Sequence, residues 1–88
     1  MYKIKGGKNM TLEKIDWIIN YLPKKDARLD DFKEFFVIQN KKERVKVKQI
    51  DETTYEYILK DCKFTLNLEK LEKPKSHFKV KNISCLSL

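Results

Sequence analysis

Tyr55-Glu56-Tyr57-Ile58-Leu59-Lys60, followed after a short polar gap by Phe64-Thr65-Leu66-Asn67-Leu68-Glu69, sets the architecture of this chain. Tyr55, Tyr57 and Leu59 alternate with Glu56, Ile58 and Lys60, and Phe64, Leu66 and Leu68 alternate with Thr65, Asn67 and Glu69. A period of two puts successive side chains on opposite faces of a strand, so each segment has one face for a core and one for water. The same period extends in both directions. Val45, Val47 and Gln49 alternate with Lys46 and Lys48; Phe78, Val80 and Asn82 alternate with Lys79 and Lys81; Ile83, Cys85 and Leu86 continue a final strand. The links Asn40-Lys41-Lys42-Glu43, Asp51-Glu52-Thr53 and Asp61-Cys62-Lys63 are short and polar, which suits hairpins between sequential antiparallel strands. Glu72-Lys73-Pro74-Lys75-Ser76 is a longer loop in which Pro74 bars strand continuation.

Toward the N-terminus the period becomes helical. Thr11 is a good N-cap for Leu12-Glu13-Lys14-Ile15-Asp16-Trp17-Ile18-Ile19-Asn20-Tyr21-Leu22, with Glu13 and Asp16 near the positive helix end. Leu12, Ile15, Ile19 and Leu22 form the expected buried stripe, widened by Ile18. Pro23 disfavours helical geometry at Leu22 and ends the element. Lys24 to Arg28 reads as a polar connection. Leu29, Phe32 and Phe36 stand at i, i+3 and i+7, so a short second helix capped by Asp26 or Asp30 is expected, followed by a strand over Phe35-Phe36-Val37-Ile38-Gln39.

These elements make an α+β domain: an N-terminal amphipathic helix, with a short second one, packed across one face of a roughly five-stranded antiparallel meander. The alternative is a small bent barrel of the kind seen in Sm-like proteins, which also place a helix before five strands. Sharp bending needs glycines or bulges, and residues 10–88 contain no glycine, so an open twisted sheet is expected.

The 88 residues suffice for one domain. No internal repeat or low-complexity tract divides them. No apolar run approaches a membrane span, and the first residues lack the apolar core of a signal peptide. With only Cys62 and Cys85, the reading is a cytoplasmic protein with reduced thiols.

The first nine residues have a separate reading. Lys5-Gly6-Gly7 is compatible with the codons AAAGGAGGT, a strong bacterial ribosome-binding sequence, and Lys8-Asn9 supplies an A-rich spacer before Met10. Residues 1–9 are therefore expected to be a translated leader, with 10–88 as the domain. A Gly-Gly turn after a short strand at Tyr2 to Lys5 is the alternative. The leader reading implies an A/T-rich bacterium, or its phage or plasmid. Removing Lys3, Lys5 and Lys8 leaves 17 basic against 13 acidic residues, a net +4 in place of +7.

That charge is a poor pointer to nucleic acid. Of the twenty basic residues only Arg28 and Arg44 are arginine, the side chain whose planar fork suits base edges and phosphates. Lys46, Lys48, Lys79 and Lys81 are the nucleic-acid-binding candidates, on a wet face with Lys60, Glu56, Thr65, Asn67 and Glu69. The strand aromatics share the core phase, so that face lacks stacking platforms. Trp17 and Tyr21, at i and i+4 on the first helix, are the protein-binding candidates, because such residues dominate interface hot spots.

No catalytic constellation, metal site or cofactor motif is read. His77 has no partner that the sequence can specify. Cys62, His77 and Cys85 match no zinc spacing. Asp26, Asp30 and Asp31 form the one acidic cluster, whose position near a helix start suits dipole complementation.

Three function classes follow. The first is a non-enzymatic phage or mobile-element protein that binds and modulates a host protein or ribonucleoprotein complex, such as an anti-CRISPR-like inhibitor of a bacterial defence system. The second is a nucleic-acid-binding accessory protein using the lysine face. The third is a RelE-like ribonuclease toxin, which requires the leader as a true strand and a clustered basic and aromatic site.

Overall fold

The computed structural model describes residues 11–73 and 75–88. The expected leader, its Gly6-Gly7 pair, the Met10 start and Pro74 lie outside the described residues. In chain order the elements are α1 (Leu12–Tyr21), a 3-10 turn (Leu22–Lys24), β1 (Asp26–Ala27), α2 (Leu29–Gln39), β2 (Lys46–Gln49), β3 (Thr54–Ile58), β4 (Cys62–Lys70) and β5 (Phe78–Ser87). The strands form one antiparallel sheet in the order β1-β5-β4-β3-β2, curled into a half-barrel with the helices packed on it. Strands β2 to β5 are the expected meander.

β4 is the centre of the core. Its Cys62, Phe64, Leu66 and Leu68 are all buried, while the residues between them are less so. Tyr57 and Leu59 join them from the β3 side and Val80 from β5, all buried as the period-two pattern requires. From the helices come Ile18, Leu22, Phe32 and Phe36. Phe36 stacks on Tyr57 with ring centroids 4.8 Å apart and meets Phe64 at 5.0 Å.

Four expectations near the helices are corrected. Phe35 to Gln39 is helix, the second half of α2, because Phe36 extends the Leu29–Phe32 stripe and is fully buried on the sheet. Neither Asp26 nor Asp30 caps α2. Arg28 occupies the cap position, and its backbone N–H donates to Asp31 Oδ2 at 3.2 Å. Asp26 instead opens β1, a strand that two residues alone did not betray, paired with Lys79 of β5. In α1, Thr11 Oγ1 accepts from Lys14 N as expected, but the stripe centres on Ile18 and Leu22, leaving Leu12 52% exposed. Leu22 keeps right-handed helical angles and Pro23 sits early in the 3-10 turn, where its missing N–H costs nothing.

In the sheet, Asn82 faces outward rather than into the core. Asn67 pairs with Asn82 but Leu68 pairs with Val80, so Lys81 is an extra, bulged residue that shifts the alternation by one and returns Ile83 to the core side. This bulge adds to the sheet's curl without glycine. Val47 and Gln49 share the side of Tyr57 and Tyr55 but are exposed, because β2 lies at the sheet edge.

The tight turns are likewise made without glycine. Asp51 Oδ1 accepts from Thr53 N (2.9 Å), Thr54 N (2.8 Å) and Thr53 Oγ1 (3.3 Å), closing the β2–β3 hairpin. These bonds, the Thr53 backbone N–H foremost, hold its carboxyl below the usual carboxylate range. At the end of α2, Lys41 and Lys42 take φ of 56° and 64°, and Lys42 N reaches back to Val37 O at 2.8 Å. Glycine is the residue that takes such angles freely, and other side chains are strained by about 1 kcal/mol or more. Lys42→Gly is therefore expected to stabilise the protein by roughly 0.5–1 kcal/mol, measured as a higher urea midpoint at unchanged slope.

Candidate functional site

α1 and α2 bring three rings together on one surface. Trp17 and Tyr21, one helical turn apart on α1, stack at 4.8 Å with an interplanar angle of 16°. Phe35 of α2 stacks on both, at 5.9 Å from Trp17 and 5.8 Å from Tyr21. Phe35 then meets Phe36 edge-on at 5.4 Å. Aromatic contact thus runs unbroken from the surface to the Tyr57 and Phe64 rings of the sheet. Trp17, at the outer end, remains 45% exposed. Lys14 Nζ lies 5.5 Å from the Trp17 ring centroid and Lys25 Nζ lies 5.3 Å from that of Tyr21, within cation–π range. A shallow groove of about 180 Å³ opens beside the stack, lined by Tyr21, Lys25, Asp31, Phe32 and Phe35.

Trp17 and Tyr21 are therefore brought together, and Phe35 joins them. Sequence reasoning missed Phe35 because it placed that residue in a strand. The signal was present: with the Leu29, Phe32, Phe36 helix continued, Phe35 falls beside Phe36 on the flank of the same stripe.

The lysine candidates are not brought together. Lys46 and Lys48 lie on β2, opposite Ile58 and Glu56. Lys79 lies on β5 between Glu69 and Asp26, and Lys81 is the bulge residue. Three strand spacings, about 14 Å, separate β2 from β5, and carboxylates interrupt the interval. Lys63 Nζ pairs with Glu56 Oε2 at 3.2 Å in its middle. Lys60 sits in the β3–β4 turn, where its backbone N–H donates to Asn40 Oδ1 at 3.5 Å. Besides the lysines this face carries Ile58, the carboxylates of Glu56 and Glu69, and short polar side chains such as Asn67, whose Nδ2 donates to Thr54 Oγ1 at 3.1 Å.

His77 does have an orienting partner. Its Nδ1 lies 3.0 Å from Asp26 Oδ2, an interaction across 51 residues created by the β1–β5 pairing. Both side chains are partly exposed, and the contact fastens β1 to the entrance of β5. The acidic cluster read from the sequence is thus divided: Asp26 faces His77, while Asp31 caps α2.

Cys62 and Cys85 are free thiols on adjacent strands. Burial pushes the Cys62 thiol up to about 12, and the neighbouring Cys85 adds to the shift. Burial also raises Cys85, against a lowering contribution from the neighbouring Cys62. Burial raises Tyr57 as well. No described helix is long and apolar enough to cross a membrane. No family model matches the chain, and comparison with curated proteins and with solved structures found no match.

A thiol whose folded pKa lies above its unfolded value keeps its proton longer when folded, so folding stability falls as pH rises through the interval between the two. For Cys62 that interval runs from 9.0 to about 12. Urea midpoints are expected to fall steadily above pH 9, less steeply in Cys62→Ala, and Cys62 is expected to resist alkylation until the chain unfolds.

Proposed function

We propose that this chain is a non-enzymatic binding protein that docks on a protein partner through the Trp17–Tyr21–Phe35 stack. In this reading it is carried by a phage or mobile element and modulates a host protein or ribonucleoprotein complex, as an anti-CRISPR-like inhibitor of bacterial defence does. The supporting observation is a tryptophan that is 45% exposed yet stacked on two other rings. An exposed tryptophan offers large apolar area to a partner. One already held by neighbours loses little conformational freedom on binding, so more of its contact energy appears as affinity. The groove beside it offers a complementary recess for a partner side chain.

The same geometry makes nucleic acid the weaker reading. Neighbouring rings and the Lys14 and Lys25 ammonium groups already occupy contacts on the Trp17 and Tyr21 rings, and a base would have to compete for those faces. The dispersed lysines of the sheet add no continuous track for phosphates.

The test is affinity purification from the bacterial host, followed by titration of the purified partner. A stoichiometric protein partner is expected. Trp17→Ala should weaken that complex at least tenfold while the chain stays folded, the unfolding midpoint falling only by the lost ring contacts. Changing Lys46, Lys48, Lys79 and Lys81 to Glu should leave it intact. The reverse pattern, with affinity falling steeply as salt rises, would establish nucleic-acid binding instead.

A further inference from the structure

The groove beside the aromatic stack has a charge opposite to that of the chain around it. The chain carries a net +7, yet the recess is lined by the carboxylates of Asp26 and Asp31 against the single ammonium of Lys25. Each carboxylate is held through one oxygen. Asp26 Oδ2 lies 3.0 Å from His77 Nδ1, and Asp31 Oδ2 accepts from Arg28 N at 3.2 Å. Neither forms an ion pair with a lysine or arginine among the described residues. In each, Oδ1 remains available to a further donor.

The rest of the lining is apolar or aromatic. Tyr21 and Phe35 stack at 5.8 Å on one side, and the buried Leu22 and Phe32 also line the groove. Tyr21 already attracts a cation, since Lys25 Nζ stands 5.3 Å from its centroid. The space is about 180 Å³, below the roughly 300–1,000 Å³ of small-molecule pockets, and it suits one inserted side chain.

With the stack as the docking surface, on which the inference rests, we propose that this groove takes the guanidinium of a single arginine on the protein partner. The two carboxylates call for a cation, and the rings call for one that is flat and weakly hydrated. A guanidinium meets both demands. Its face lies against an aromatic ring while its fork of N–H donors reaches the carboxylate oxygens. A lysine ammonium is compact and strongly hydrated, so it sheds more water on entry and cannot stack. Phosphate and acidic side chains are repelled by the same carboxylates. The net charge of the chain repels a broadly basic surface, so the arginine stands on a neutral or acidic one, whose acidic groups Lys14 can meet beside Trp17.

Titration of the intact chain with N-acetyl-arginine methylamide, followed by nuclear magnetic resonance, tests the groove without the partner. Saturable shifts are expected at Tyr21, Asp31 and Phe35, in the millimolar range. The citrulline analogue, which has the same shape without the charge, and the lysine analogue should each bind about threefold more weakly or worse. Asp26→Asn combined with Asp31→Asn keeps an oxygen acceptor for His77 and for Arg28 N, and should weaken the arginine compound about fivefold. Lys25→Gln removes the competing cation and should tighten it about twofold. No saturable shift, or equal binding of the arginine and citrulline compounds, would overturn the inference. So would binding unaltered by the paired aspartate substitution in a chain of unchanged circular dichroism. On the captured partner, the paired substitution should weaken the complex about tenfold. A complex weakened by Trp17→Ala but untouched by that substitution overturns the arginine and leaves the docking stack standing. A complex indifferent to Trp17→Ala overturns the stack, and the groove's arginine with it.

Discussion

Phe36 seated between Tyr57 and Phe64 is the contact on which the molecule depends. It fastens α2 to the two central strands, and the other helical features are arranged around it. Phe35, the next residue, is turned to the flank of the same helix and carries that anchorage outward to Tyr21 and Trp17. The exposed tryptophan is thereby tied to the core through ring contacts as well as through the buried Ile18 and Leu22 beside it in the chain. A surface group held this way can be both accessible and ordered, which is the property an interface anchor requires.

The second constraint is the absence of glycine from residues 10–88. Curvature, helix termination and hairpin closure have to come from other chemistry. The Lys81 bulge bends β5, an aspartate side chain closes the β2–β3 turn, and two lysines accept left-handed backbone angles after α2. Asn40 supports that last turn, its Nδ2 donating to Arg44 O at 3.2 Å while its Oδ1 accepts from Lys60 N. Bulge and side-chain turns are local substitutes for backbone freedom, and the strained lysines show where no good substitute was present.

Charge is distributed so as to dilute its own sign. The outer face of the sheet sets Lys63 on Glu56 and Lys79 between Glu69 and Asp26. A strongly basic composition thus yields a mixed surface on the strands. The uncharged C-terminal half of β5 stands apart from that scheme, and so does the aromatic surface of α1 and α2.

The meander was legible in the sequence because a strand with one wet face must alternate, and the residues of β3 and β4 alternate without interruption. The Thr11 cap and the identity of α1 were legible for the same kind of local reason. The sequence also placed Trp17 beside Tyr21, since helical spacing alone does so. Only tertiary structure decided where α2 ends, because Phe35 to Gln39 is an apolar run whose period is ambiguous until Phe36 has a sheet to pack on. Only it paired Asp26 with His77, brought Phe35 onto the Trp17 stack, and turned Asn82 outward. Each of those depends on contacts between residues distant in the chain or on a single inserted bulge, and neither leaves a periodic trace in the order of the amino acids.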